Sequence, residues 1–315
     1  MGIYGVVEKL PSGPPGVHRR SPRPTLARLP IQSCRVISIV MIEYLAEHRY
    51  QELLGFISTA ADGDGLLFFS GVLRNRPDGL NVHVQRHNGE VIGAIALLPA
   101  LPPFAMPVIL PAGEVSPELL DTVSILAQSP HMALGPKAAT KALTRAWPET
   151  WKPFLSQRNE VLLKQLKPYR VEQDASLKTR LARLDDVEVL IDYQIQMECD
   201  AQVALVCSRE QAHHSVTRLL ARGCLFVIEV DGELGGCAAL ITSDELHEQL
   251  GFIYVEARYR ARGVTDRLLG DLCTAVHARG KTPLTFTSSS GLLYKRLRAI
   301  GFNVVGEQVK LYFGH

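Results

Sequence analysis

The stretch YVEARYRARGVTDRLL, Tyr254 to Leu269, runs from a short apolar segment through three arginines and one glycine into an amphipathic one. A strand ending in such a turn aims successive main-chain N–H groups at one spot, and the N-terminus of a following helix adds partial positive charge. These are the parts of a phosphate site. Gly263 has no Cβ, so ligand oxygens can approach the main chain closely, while Arg260 and Arg262 supply charge at the edge. Ala261, Val264 and Thr265 complete the stretch expected to hold a pyrophosphate. Other reactive side chains make poorer sites. His213 and His214 are adjacent on a predicted helix and point about 100° apart, so they share a ligand poorly. His83 and His87 lie near a predicted turn without Cys or acid partners at metal-ligand spacing. No metal is expected.

The elements that would position the turn follow from periodicity. In the second half SLKTRLARLDD reads as a strand, followed by helices in VEVLIDYQIQME and REQAHHSVTRLLAR, the latter capped by Ser208 with Glu210 in its first turn. CLFVIEVDGELGGCAALIT is a pair of apolar runs joined by Asp231-Gly232, a hairpin signal. LGFIYV and PLTFTSS read as strands, TDRLLGDLCTAVHARG and GLLYKRLRAIG as helices, and FNVVGEQVKLYF as a final pair of extended segments. The order is β-α-α-β-β-β-α-β-α-β.

The first half repeats this plan more loosely. Apolar spacing through Ile42, Leu45, Tyr50, Leu53, Leu54 and Ile57 predicts a helix over 41–57, and 66–73 reads as a strand. LNVHVQRHNGEVIGAIALLP reads as a hairpin turning at Asn88-Gly89. Ser116 is placed to cap a helix in PELLDTVSILAQ, with Pro117 at its first position. A strand in HMALG, a helix in PKAATKALTRAW and a closing strand in EVLLKQL complete it. The uncharged run 91–111 carries five prolines, which break any continuous membrane-spanning helix, and reads as a strand, a Pro-rich turn and a second extended segment.

Composition bounds the rest. At 315 residues and 46% hydrophobic content the chain is long enough for two domains with real cores. A net charge of +2 argues for neither a nucleic-acid nor an anionic-membrane partner. Residues 1–40 hold six Lys/Arg against one acid, or +5, so residues 41–315 sum to about −3. The six cysteines are scattered without a CxxC pair, which suits a reduced cytoplasmic setting.

From about Ser176 to Phe313 the sequence resembles the GCN5-related N-acetyltransferase (GNAT) superfamily. In the family signature of Arg or Gln, two residues, Gly, one residue, then Gly or Ala, the places are occupied by Arg260, Gly263 and Thr265, and LLYKRLRAIGF resembles the family's LYxxxGF segment with one residue added. The resemblance implies an α/β mixed sheet of the GNAT acyl-CoA acyltransferase fold, with two GNAT-like domains in tandem. It also implies transfer of an acyl group, most often from acetyl-CoA, to a primary amine of a small molecule or protein by direct attack on the thioester. On that reading pantetheine pairs with the main chain of Ile253, Tyr254 and Val255, and a main-chain N–H, that of Val255, stabilises the oxyanion. Glu256, then Glu198 and Asp200, are candidates for the base that deprotonates the amine. Tyr294 matches the family tyrosine that protonates the departing thiolate. Two departures stand out: Thr265 replaces a small residue, and TFTSSSG offers Thr287, Ser288 and Ser289 where an Asn is common on the fifth strand.

The expected organisation is a disordered or mis-called extension over residues 1–40, a degenerate GNAT-like domain over 41–168 and a GNAT acetyltransferase domain over 169–315. The first half has no RxxGxG-like stretch; ALGPKAATKAL is its nearest approach, and one acyl-CoA site is expected. The alternative is a GNAT-fold CoA-sensing or protein-binding module without turnover. A third reading, an aminoacyl transferase using charged tRNA, is disfavoured by the mildly acidic body.

Overall fold

Two hairpins show the repeat at the level of single residues. Strands β2 (Asn81–His87) and β3 (Glu90–Leu98) turn at Asn88-Gly89, and strands β8 (Leu225–Val230) and β9 (Glu233–Ser243) turn at Asp231-Gly232. All four turn residues have positive φ, between 52° and 90°, which gives the turn the twist that flanking strands need. The fold is described, from a computed structural model, over residues 40–59, 66–76, 79–98, 104–109, 119, 121, 132–145, 154–171, 174–201, 206–260 and 262–313. The expected extension, the Ser116-capped helix and the Pro-rich turn at 99–103 lie essentially outside these residues.

The second half runs β7 (Leu177–Leu181), α4 (Val187–Asp200), α5 (Arg209–Ala221), β8, β9, β10 (His247–Val255), α6 (Val264–Ala278), β11 (Thr282–Thr287), α7 (Leu292–Ala299) and β12 (Phe302–Phe313). This is the expected order. The α5 cap is a box in which Ser208 accepts from Gln211 N–H and the Gln211 side chain accepts from Ser208 N–H. The final segment is one twelve-residue strand with a bulge near Val304–Gly306, not a pair.

The first half runs β1 (Val40–Tyr44), α1 (Tyr50–Thr59), α2 (Leu67–Asn75), β2, β3, β4 (Phe104–Ile109), β5 (Met132–Pro136), α3 (Lys137–Arg145) and β6 (Phe154–Gln165). Two expectations are corrected. The helix expected over 41–57 begins only at Tyr50, because Val40–Tyr44 pairs along its full length with His83–His87 as an edge strand. The run 66–73 is helix, not strand. Phe69 and Leu73 face the first-half core while Leu67 meets Leu162 and Leu284 from other elements, and a helix buried on several sides loses the polar stripe that would reveal its period. Both corrections bring the halves closer to one plan.

The described strands form one sheet in the order β1-β2-β3-β4-β5-β12-β6-β11-β10-β9-β8-β7. Read inward from either end, five strands are followed by the other half's last strand. Thus β12 lies beside β5, and β6 lies beside β11. The central β6/β12 pair is antiparallel, and Glu160 and Gln308 stand opposite each other within it. Glu160 Oε2 accepts from Gln308 Nε2 at 2.5 Å and Oε1 from Lys310 Nζ at 2.9 Å, so a buried carboxylate is paired.

The exchange places Val161 and Leu163 of β6 in the core under α6, with Leu268, Leu269, Leu272, Leu297 and Phe302. Leu162 faces the other side, against Leu67 and Leu284. Burying each such side chain contributes about 1.5–3 kcal/mol, so losing three approaches a domain's whole stability of about 5–15 kcal/mol. A chain starting at residue 169 therefore should not melt cooperatively, whereas one starting at residue 40 should. A folded, monomeric 169–315 fragment in calorimetry would contradict this account of the core.

Candidate functional site

The site is built where two parallel strands part. β10 and β11 pair only through His247–Thr282, Glu248–Pro283 and Gln249–Leu284. Beyond Leu284, β11 continues against β6 alone, pairing Thr285, Phe286 and Thr287 with Leu163, Leu162 and Val161. The Thr285 hydroxyl donates to the Leu250 carbonyl at 3.0 Å, closing the angle of the wedge. Above it the main chain of β10 has lost its β11 neighbour.

β10 also changes register against β9 inside this open stretch. Gly251 faces Ala239 and Tyr254 faces Cys237, so one extra residue bulges out, with Phe252 at φ 46°. Past the bulge, Glu256 N–H donates to Gly235 O at 3.0 Å, toward β9. Alternation then turns the N–H and C=O of Val255 away from β9, into the wedge. Gly236, opposite Val255, permits the close approach: a Cβ there would lie 2.5 Å from the Tyr254 carbonyl oxygen.

A 3-10 turn at Ala257–Tyr259 leads to the start of α6. Gly263 caps α6 in the left-handed region, at φ 73° and ψ 2°, with no side-chain cap on the first turn. Among the described residues a Cβ at Gly263 would meet nothing within 4 Å, so that side of the turn is open. Among the described residues Val264 is buried and Thr265 half-buried; Ala261 lies outside them.

The arginines are more committed than the sequence suggests. Arg260 Nε donates to Val255 O at 2.8 Å, its Nη2 pairs with Asp200, and it lies 5.6 Å from the Tyr254 ring centroid. Arg262 pairs with Asp231 at 3.0 Å. Asp200 is held below the usual carboxylate range by a hydrogen bond from Gln196 and then by Arg260. Asp200 thus holds an arginine of the turn before α6, a contact with a residue 60 positions away that its own segment does not signal.

The three expected catalytic groups fare differently. Glu256 Oε1 accepts from the Tyr193 hydroxyl at 2.6 Å, and Oε2 accepts from Arg258 Nε at 2.6 Å. Tyr193 is 5% exposed, and its ring packs on Tyr254 at 4.9 Å. Burial, then the Glu256 contact, push the Tyr193 phenol well above its ordinary range, so it stays a donor. Glu198 Oε2 accepts the Cys207 main-chain N–H at 2.6 Å and so fastens the segment leading to α5, without joining Glu256. Tyr294 is half-buried on α7, against the core that also holds Val255 and Leu268. Ser288 lies just past β11, with its hydroxyl 3.3 Å from that of Ser290. Tyr193 was missed because VEVLIDYQIQME marks only a core aromatic; its partner is 63 residues away.

The first half has a similar parting of strands but different parts within it. Among the described residues β4 and β5 are parallel and pair through Phe104–Met132 and Ala105–Ala133. β4 pairs with β3 without any register shift, and Pro107, opposite Ile95, has no N–H to offer. The third residue of α3 is Ala139, where α7 has Tyr294. ALGPKAATKAL spans β5 and α3, the counterparts of β11 and α7, and so does not correspond to the 260–265 turn.

Among the described residues no helix is long and apolar enough to cross a membrane. Comparison with known proteins places the fold. Residues 193–295 match the profile of the Acetyltransferase (GNAT) family. No curated protein sequence matches the chain. Solved structures do. A GNAT acetyltransferase of Colwellia psychrerythraea is 15% identical, with a TM-score of 0.56 over 87% of this chain and 100% of its own. A GCN5-related N-acetyltransferase of Sphaerobacter thermophilus is 13% identical, with a TM-score of 0.60 over 86% and 94%. A tandem GNAT protein from the clavulanic acid biosynthesis pathway is 13% identical, with a TM-score of 0.56 over 87% and 98%. The match to the GNAT family therefore lies in the second half, over residues 193–295, and the mixed α/β fold is shared along most of the chain with solved GNAT proteins, a tandem one among them.

Proposed function

We propose that the chain is an acyl-CoA-dependent N-acyltransferase that moves an acetyl group from acetyl-CoA to a primary amine in a cytoplasmic setting. The observation that carries this reading is the wedge between β10 and β11, with the Val255 main chain turned into it and the open, uncapped start of α6 at its end. An extended pantetheine chain adds to the edge of β10 that β11 leaves at Ile253–Val255, displacing Arg260 from the Val255 carbonyl, and the pyrophosphate meets the N–H groups of Gly263–Thr265. The Val255 N–H stabilises charge developing on the thioester oxygen. Glu256 takes a proton from the amine, and Tyr294 returns one to the departing thiolate. Ser288 stands at the pantetheine side in place of the family Asn.

The same reading makes residues 41–168 a GNAT-like domain without its own acyl site, and residues 169–315 the active one. An unbulged β4 with Pro107 and an α3 with Ala139 support a single site. Helix α2 supports a part for the first half in shaping the acceptor side, because Gly71 packs so closely on Thr242 of β9 that a Cβ would lie 2.0 Å from its hydroxyl oxygen. A second reading, a CoA-sensing or protein-binding module without turnover, is favoured by one observation. Arg260 occupies the Val255 carbonyl and is tied to Asp200.

Acetyl-CoA at 100 times its Kd should stabilise the native chain by about 2.7 kcal/mol, visible as a rise in Tm. Gly263→Glu, which puts a strained backbone and a carboxylate in the phosphate's place, should abolish the rise; a rise of equal size would remove the turn from the site. Tyr294→Phe should lower kcat by roughly 10- to 1,000-fold with the Kd for acetyl-CoA unchanged. Unchanged turnover would exclude Tyr294 from the chemistry. Binding without thioester consumption across a broad amine panel would favour the second reading.

A further inference from the structure

The Tyr193 hydroxyl sits between two acceptors, Glu256 Oε1 at 2.6 Å and the Leu234 carbonyl at 2.9 Å, but has one proton to give. We propose that Tyr193 is a positioning residue for Glu256, whose hydroxyl serves both protonation states of that base by switching its proton between the carboxylate and the Leu234 carbonyl. This rests on the acyltransfer reading above. While Glu256 is ionised, the phenol donates to Oε1. Once the amine's proton has moved to Oε1, Glu256 donates to the phenol oxygen, and the phenol proton turns to Leu234. The phenol proton thus has an acceptor within reach in both states, Oε1 while Glu256 is ionised and Leu234 O once Oε1 is protonated, so proton transfer does not strand it.

The geometry is fixed from several sides. Tyr193 is held on α4 among Leu190, Ile191 and Tyr254, and Glu256 N–H is anchored to Gly235 on the same strand as Leu234. The other charged or titratable groups facing Glu256 are Arg258 on Oε2, Glu233 through Arg258 at 3.2 Å, and the phenols of Tyr254 and Tyr259. Arg258 is exposed and favours only the ionised state, leaving Tyr193 as the group that meets both.

The test compares Tyr193→Phe in the wild-type and Glu256→Gln backgrounds of the full chain, a change that keeps the ring and removes only the hydroxyl. The proposal expects kcat to fall roughly 10- to 100-fold in the wild-type background, with little further loss in Glu256→Gln and no change in KM for acetyl-CoA. Losing a donor to a carboxylate disfavours its ionised form, so the acid limb of the pH–rate profile should move to higher pH. A carbon-13 NMR titration of the Glu256 side chain should show its midpoint moving the same way without any acceptor present. An unmoved midpoint, or an equal loss in both backgrounds, overturns the proposal. A wild-type chain that binds acetyl-CoA but transfers nothing overturns the acyltransfer reading itself, and with it the base that Tyr193 would serve.

Discussion

The antiparallel pairing of β6 with β12 is the contact on which the rest of the arrangement depends. Each strand belongs to one half by sequence and completes the other half's sheet. Because β6 runs beside β11 from Val161 to Lys164, it carries β11 along its own direction, and β11 leaves β10 after Leu284. The opening in the second half is therefore shaped by a strand from the first. Arg260 takes the Val255 carbonyl turned into that opening, and an extended ligand with amides of its own is one partner that can pair with the main chain there in its stead.

From that opening the electrostatics follow in order. The bulge at Phe252 resets the alternation of β10, so that the Val255 main chain faces the wedge while the side chains of Tyr254 and Glu256 face α4. The turn then ends at Gly263, where only a glycine accepts φ 73° without strain, and α6 begins with free N–H groups. Each arginine of the turn is balanced by a carboxylate: Arg258 by Glu256 and Glu233, Arg260 by Asp200, Arg262 by Asp231. Such exposed pairs are weak, on the order of 0–1 kcal/mol, so a phosphate can compete for them.

Much of this was legible in the sequence where local chemistry decides structure. Asn88-Gly89 and Asp231-Gly232 specify hairpins, Ser208 specifies a cap, and the arginine-glycine stretch specifies a strand-to-helix turn. What was not legible depends on distant partners. Val40–Tyr44 is a strand because His83–His87 offers it an edge, and 67–75 is a helix because Leu162 and Leu284 cover the side that would otherwise be polar. The exchange of β6 and β12 leaves no mark in EVLLKQL or VKLYF, since either strand would satisfy its alternation beside any neighbour. Glu256, Glu198, Asp200 and Tyr294 were named as candidates from the sequence, whereas the Tyr193–Glu256 and Asp200–Arg260 contacts join residues 63 and 60 positions apart and appear only in the fold.

The most direct test of the account is hydrogen–deuterium exchange of the full chain with and without acetyl-CoA, read peptide by peptide. The account predicts slower exchange across Gly251–Val255 and Gly263–Asp266, with Phe104–Ile109 of β4 unchanged. Unaltered exchange along β10 and the start of α6, or protection confined to β4, would contradict the assignment of the acyl-CoA site to the wedge in the second half.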